Sequence, residues 1–146
     1  MKIQFLKLIK SKNKDKKYTA IFNITKSNKD KTVLERSFGY NTPDDKFNDY
    51  TKNKDINRRN RYIIRHQKDL NTGDPSRAGY LSLILLWNKP TLKEAVKDYN
   101  KRLAIYNKTG KFKTQDLIDE ATEYFKNKKD EASNSQTDQN KKETKT

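Results

Sequence analysis

Apolar and polar side chains alternate along residues 18–25: Tyr18, Ala20, Phe22 and Ile24 share one parity, and Thr19, Ile21, Asn23 and Thr25 the other. A period of two with one clearly apolar side predicts a strand with one buried face. The flanking stretches Lys2–Lys10 and Lys31–Phe38 are likewise rich in Ile, Phe, Val and Thr. Together with Lys17–Lys26 they predict a three-stranded antiparallel meander. Both connections carry the tetrad Asn-Lys-Asp-Lys, at 13–16 and 28–31. Asn and Asp bond their own backbone and accept turn geometry, so two similar hairpin turns are expected.

After a polar connection from Gly39 to Asn53 the period changes to that of a helix. Asp55–Lys68 lacks Gly and Pro and predicts one helix, ended by Asn71-Thr72-Gly73. Asp74 as cap and Pro75 at the first helical position predict a second, Ser76–Trp87, which is apolar nearly all round and so central to the core. Asn88-Lys89-Pro90 breaks it. Thr91 and Glu94 form a capping box for a third helix from Leu92 to about Tyr106, with Leu92, Ala95, Val96, Tyr99, Leu103 and Tyr106 as its apolar stripe. Thr114 caps a fourth, Gln115–Lys126, burying Leu117, Ile118, Ala121 and the Tyr124-Phe125 pair. The expected fold class is α+β: an N-terminal three-stranded antiparallel meander, about four helices and a disordered C-terminal tail.

The tail is expected because residues 127–146 contain no Val, Ile, Leu, Phe, Tyr or Trp. Such a segment cannot bury enough surface to offset its ordering entropy. The chain therefore reads as a single basic domain over 1–126 and a polar tail over 127–146. The most hydrophobic run, Ala78–Trp87, is ten residues, against the roughly 20 a membrane-crossing helix needs. A soluble, intracellular protein with no membrane span is expected. The absence of cysteine excludes disulfides and Cys-ligated metals and fits a reducing compartment.

Charge changes the picture most. The net formal charge is +15, and residues 111–146 hold eight cations and eight acids, so the whole excess lies on the first 110 residues. Abundant Lys, Asn, Ile and Tyr fit AT-rich coding, which accounts for lysine but not for four of the seven arginines falling between positions 58 and 65. On a helical wheel, Lys54, Arg58, Arg61, Arg65 and Lys68 share an arc of about 80° facing away from Ile56 and Ile63. No acid interrupts the row, and guanidinium forks match phosphate geometry. Lys97, Lys101 and Arg102 form a second basic group beside Tyr99 and Tyr106, which fit the core stripe better than a base-stacking role.

Candidate chemistry is sparse. With one histidine a His-based metal cluster is excluded, and no glycine-rich phosphate loop is present. His66 reads as a packed or hydrogen-bonded residue, and Arg59 as paired with one of Asp44, Asp45, Asp49 or Asp55. A carboxylate cluster could use Asp44, Asp45 and Asp49, but these fall in a loop without a matching motif. No catalytic residue, metal site or cofactor is therefore expected.

Residues 38–68 (FGYNTPDDKFNDYTKNKDINRRNRYIIRHQK) and 74–103 (DPSRAGYLSLILLWNKPTLKEAVKDYNKRL) carry a set of specific features. Among them are Asp49-Tyr50-Thr51, Arg58-Arg59, Tyr62, Arg65-His66, Ala78-Gly79, Leu85-Leu86-Trp87 and Lys89-Pro90-Thr91-Leu92. This stretch resembles a family of small basic proteins of unassigned function from large nucleocytoplasmic DNA viruses of algae and protists. The resemblance implies a viral source, with the virion or a cytoplasmic viral factory as location, and supplies no catalytic residues.

The sequence thus points to a non-enzymatic, largely sequence-nonspecific nucleic-acid-binding accessory protein that uses the basic helix stripe, with DNA ahead of RNA as partner. The alternative is a structural or assembly protein of a virus particle that binds an acidic protein.

Overall fold

The computed structural model describes residues 1–41 and 48–144, with side chains through residue 132. Three strands, β1 (Lys2–Lys10), β2 (Lys16–Thr25) and β3 (Lys31–Tyr40), form an antiparallel sheet in the order β1-β2-β3. The repeated tetrads make the same turn bond twice: Asn13 Oδ1 accepts from Asp15 N at 2.9 Å and Asn28 Oδ1 from Asp30 N at 3.2 Å. On β2 the expected parity is the inner one. Ala20 and Phe22 are fully buried, and Tyr18 and Ile24 pack at the margin of the core. The open edge of β1 is tied to a helix, because Asn107 accepts from Ile3 N and donates to Ile3 O, both at 2.8 Å. That blunts an edge otherwise open to pairing with another chain.

The helices are α1 (Tyr50–Asn53), α2 (Ile56–His66, finished by a 3-10 turn at Gln67–Asp69), α3 (Ala78–Leu81, continuing as a π-helical segment Ser82–Trp87), α4 (Leu92–Thr109) and α5 (Gln115–Thr144). The α+β class and the strand-then-helix order are as the sequence predicts, with one short helix more. That extra helix, α1, lies in the expected connection, where the Asp49 carboxylate accepts from Thr51 N at 2.9 Å and caps it. The second predicted helix starts later than Ser76. Asp74 Oδ1 accepts from Ser76 N and Ser76 Oγ at 3.0 and 2.7 Å, which closes a local turn instead of capping a helix. α4 runs past Tyr106 to Thr109, where Gly110 at φ +79° supplies the left-handed stop.

Leu81, Leu83, Ile84, Leu85 and Leu86 are all buried, so the α3 region is the centre of the core, as its sequence predicts. Ala95, Tyr99 and Leu103 of α4 and Leu117 and Ala121 of α5 close around it. α4 packs on the π-helical segment and on β1, while α2 and α5 pack on each other. α5 carries the fourth predicted helix into the segment read as tail. Its residues 126–132 are exposed throughout, so this part adds nothing to the core, in line with its composition. The side chains of the rest of that segment, 133–146, lie outside the described residues. No helix among the described residues is long and apolar enough to cross a membrane.

Candidate nucleic-acid interface

Local chemistry sets the register of α2. Asp55 caps it, its carboxylate accepting from Asn57 N at 3.0 Å and Arg58 N at 3.2 Å. The buried side of the helix is Arg59, Asn60 and Ile63. Ile56, expected on the buried edge, is instead 42% exposed, and the buried edge runs through Ile63. With Ile63 held inside, Arg58, Arg61 and Arg65 come together along one wall of a cleft of about 430 Å³. Arg61 and Arg65 are exposed and Arg58 is half-buried.

The cleft is completed by residues far away in sequence. Lys17, Gly39 and Tyr40 come from the sheet, and Ser82, Leu86 and Trp87 from the π-helical segment. Gly39 is required where it stands. Its φ is +84°, and a Cβ there would lie 2.8 Å from Leu86 Cδ1 and 3.2 Å from Lys17 Cβ. Only glycine lets the end of β3 close on Leu86 and carry Tyr40 to the cleft. π-Helical turns are rare and concentrate at functional sites, and this one supplies three lining residues.

Among the described residues that line the cleft one carboxylate, Asp49, is present, and its charge is matched. Buried, it accepts from Thr51 Oγ1 and pairs with Lys17 Nζ. Among the described lining residues Arg58, Arg61 and Arg65 then make the site positive. Tyr62 lies between two rings, with centroids 4.2 Å from His66 and 4.4 Å from Trp87, the latter stacked at 7°. Burial pushes the Tyr62 phenol up to about 12, against the opposing pull of a hydrogen bond with Ser82. His66 Nδ1 lies 3.0 Å from Asp69 Oδ2, so this histidine is both packed and hydrogen-bonded, as its sequence position suggests.

The remaining predicted cations sit elsewhere. Lys54 joins α1 to α2 in the left-handed conformation, φ 53°. Its Nζ donates to Pro90 O at 2.8 Å, which draws it toward the turn before α4. Lys68 is exposed on the 3-10 turn, beyond the lining of the cleft. Lys97 and Lys101 are exposed on α4, whereas Arg102 is committed to structure. Its Nη1 and Nη2 bond the two Asp116 oxygens at 2.7 Å each, its Nε bonds Asp98 at 2.7 Å, and Nη1 also reaches Lys113 O at 2.8 Å. Burial opposes its charge, but the bonds to Asp116 and Asp98 hold its pKa above the usual value. Tyr99, beside this group, is fully buried and donates to Pro75 O at 2.8 Å, so it belongs to the core.

Of the aspartates considered for Arg59, Asp49 and Asp55 are described and neither carboxylate is its partner. Its Nη1 pairs with Glu120 at 3.0 Å, and the fork also bonds Asn60 Oδ1, Asn88 O and Asn88 Oδ1. Asp44 and Asp45 lie outside the described residues. Among the described residues no three His, Asp or Glu side chains gather as a metal cage.

Sequence reasoning found the arginines but missed Lys17, Tyr40, Tyr62 and Trp87. A signal existed for Tyr62, which stands four residues after Arg58 and so on the same side of the helix. Lys17 and Tyr40 reach the site only through closure of the sheet on the helices.

No protein-family model, curated protein or solved structure matches this chain. The chemistry of the cleft has to supply the functional reading.

Proposed function

We propose that the chain is a non-enzymatic nucleic-acid-binding accessory protein, largely indifferent to sequence, with the arginine cleft as its contact surface. The observation that carries this reading is the convergence of Arg58, Arg61 and Arg65 on one cleft where Asp49, the one carboxylate among the described lining residues, is paired with Lys17. Three guanidiniums on one wall concentrate positive charge, and a phosphate backbone offsets it while accepting their forked donors. Lys54, Lys68, Lys97 and Lys101 then act as peripheral positive charge. DNA stands ahead of RNA in this reading, and the viral resemblance adds a virion or viral factory as its setting.

The test is affinity for a labelled oligonucleotide across a salt series, for the wild-type chain and for Arg58/Arg61/Arg65→Ala. Loss of three phosphate contacts lowers the log–log salt slope by about two to three units. The fold of the variant is checked by circular dichroism. Absence of binding at moderate salt, or an unchanged slope in the variant, overturns the reading.

A second reading, an assembly protein of a virus particle that meets an acidic protein partner, is favoured by the outer face of the sheet. By register Ile9, Ile21 and Val33 share that face, and Ile9 and Val33 are 36% and 62% exposed. Lys7 and Glu35, which flank Ile21 across the strands, interrupt the apolar surface. This reading gains if nucleic acid fails to bind.

A further inference from the structure

We infer that the nucleic acid this cleft takes is single-stranded, with a base seated beside Tyr40 and Trp87 while its phosphates lie on Arg58, Arg61 and Arg65; the inference rests on the nucleic-acid reading above. Three independent features support it. First, the arginines line a concavity, not a flat face. A volume of about 430 Å³ falls in the range of small-ligand pockets. A duplex keeps its bases stacked inside and presents phosphates on a convex ridge, so it fills such a cleft only by flipping a base out, at a cost of a few kcal/mol. A single strand offers an unstacked base at no such cost.

Second, the lining mixes rings with cations. Tyr40 is 70% exposed and sits on the strand end that Gly39 brings against Leu86. An exposed aromatic beside guanidinium groups is the arrangement that stacks bases without reading them, since every base has a π-face. Trp87, Tyr62 and His66 form a continuous stack behind the same cleft, which holds Trp87 rigidly in place. Third, Arg58 to Arg65 spans seven residues, about 10 Å of helix. That length lets the row follow successive phosphates of one strand whose base lies in the cleft.

The test compares an oligothymidylate of about twelve nucleotides with a duplex of the same length, using the full chain. Trp87 is the only tryptophan, so its fluorescence reports on the cleft directly. The variant is Tyr40→Ala, chosen because Tyr40 is exposed and carries no charge. The expected result is tighter binding of the strand than of the duplex, with quenching of Trp87 that saturates together with binding. Tyr40→Ala then weakens strand binding by about fivefold or more, a larger loss than it causes in duplex binding. Equal affinities with unaltered Trp87 fluorescence overturn the inference and leave the electrostatic reading intact, and so does a neutral Tyr40→Ala. Failure of both strand and duplex to bind overturns the two together.

Discussion

Tyr62 and Trp87 lie face to face, ring centroids 4.4 Å apart and planes 7° from parallel, so that α2 meets the π-helical segment through an aromatic stack. The contact fixes the distance between the arginine wall and the core. Anything that loosens it loosens the cleft as well as the fold.

Tyr62→Ala removes the stack on both sides of the ring and leaves a partly open cavity. A loss of about 2–4 kcal/mol in unfolding free energy is expected, slightly below the range for fully buried aromatics. Urea denaturation followed by Trp87 fluorescence measures it; a loss under about 0.5 kcal/mol, within the range of ordinary surface substitutions, would show that the stack contributes little.

The same ring makes the protein sensitive to alkali. Tyr62 titrates near 12 when folded and near about 10 when unfolded. Its folded pKa is the higher one, so its contribution is complete below about pH 10 and is lost as pH rises through about 12. Burial raises Tyr99 and Tyr106 in the same direction. Unfolding free energy measured against pH should therefore fall across this window, together with the appearance of tyrosinate absorbance. Tyrosinate absorbance that develops fully near pH 10 without loss of structure contradicts the expectation.

Arg59 joins α2 to the turn after Trp87 and to α5. Arg59→Ala strands Asn60 Oδ1, Asn88 O and Asn88 Oδ1 without their donor. A loss of about 2–4 kcal/mol is expected, chiefly from unsatisfied buried acceptors. Glu120→Gln should cost under about 1 kcal/mol, because the Glu120 side chain is 59% exposed and the other bonds of the fork survive. Comparable losses in the two variants would mean that the ion pair, not the buried acceptors, holds the network.

Asp116 gives the acid side. The Arg102 fork holds its carboxyl below the usual carboxylate range. A depressed folded pKa means stability that is present above the unfolded value near about 4 and lost as pH falls through the lower folded one. Asp116→Asn should thus be destabilised near neutral pH, and its deficit against wild type should shrink in that acid window. Urea unfolding of both proteins at a series of acid pH values checks this; a deficit independent of pH would assign the effect to packing.

Sequence alone determined the elements whose causes are local. The Asn-Lys-Asp-Lys tetrads made their turns, Thr91 capped α4 through Glu94 N at 3.2 Å, and the parity of Tyr18, Ala20, Phe22 and Ile24 chose the inner face of β2. Each depends on neighbours within a few residues, and chain chemistry at that range is nearly context-free. The arginine row was legible for the same reason, since three of its members lie on one turn-to-turn face of α2. Only the tertiary structure decided what that row looks onto. Sorting five cations into three that line a cleft, one bonded to Pro90 O and one beyond the lining depended on where the helix ended and which carbonyl lay in reach. Arg102 reads like any cation in a sequence, and becomes a clamp only because α5 sets Asp116 against it. Lys17, Tyr40 and Trp87 join Arg61 across long separations in the chain, through burial of the sheet face and the closeness that Gly39 allows, and no local pattern records such a contact.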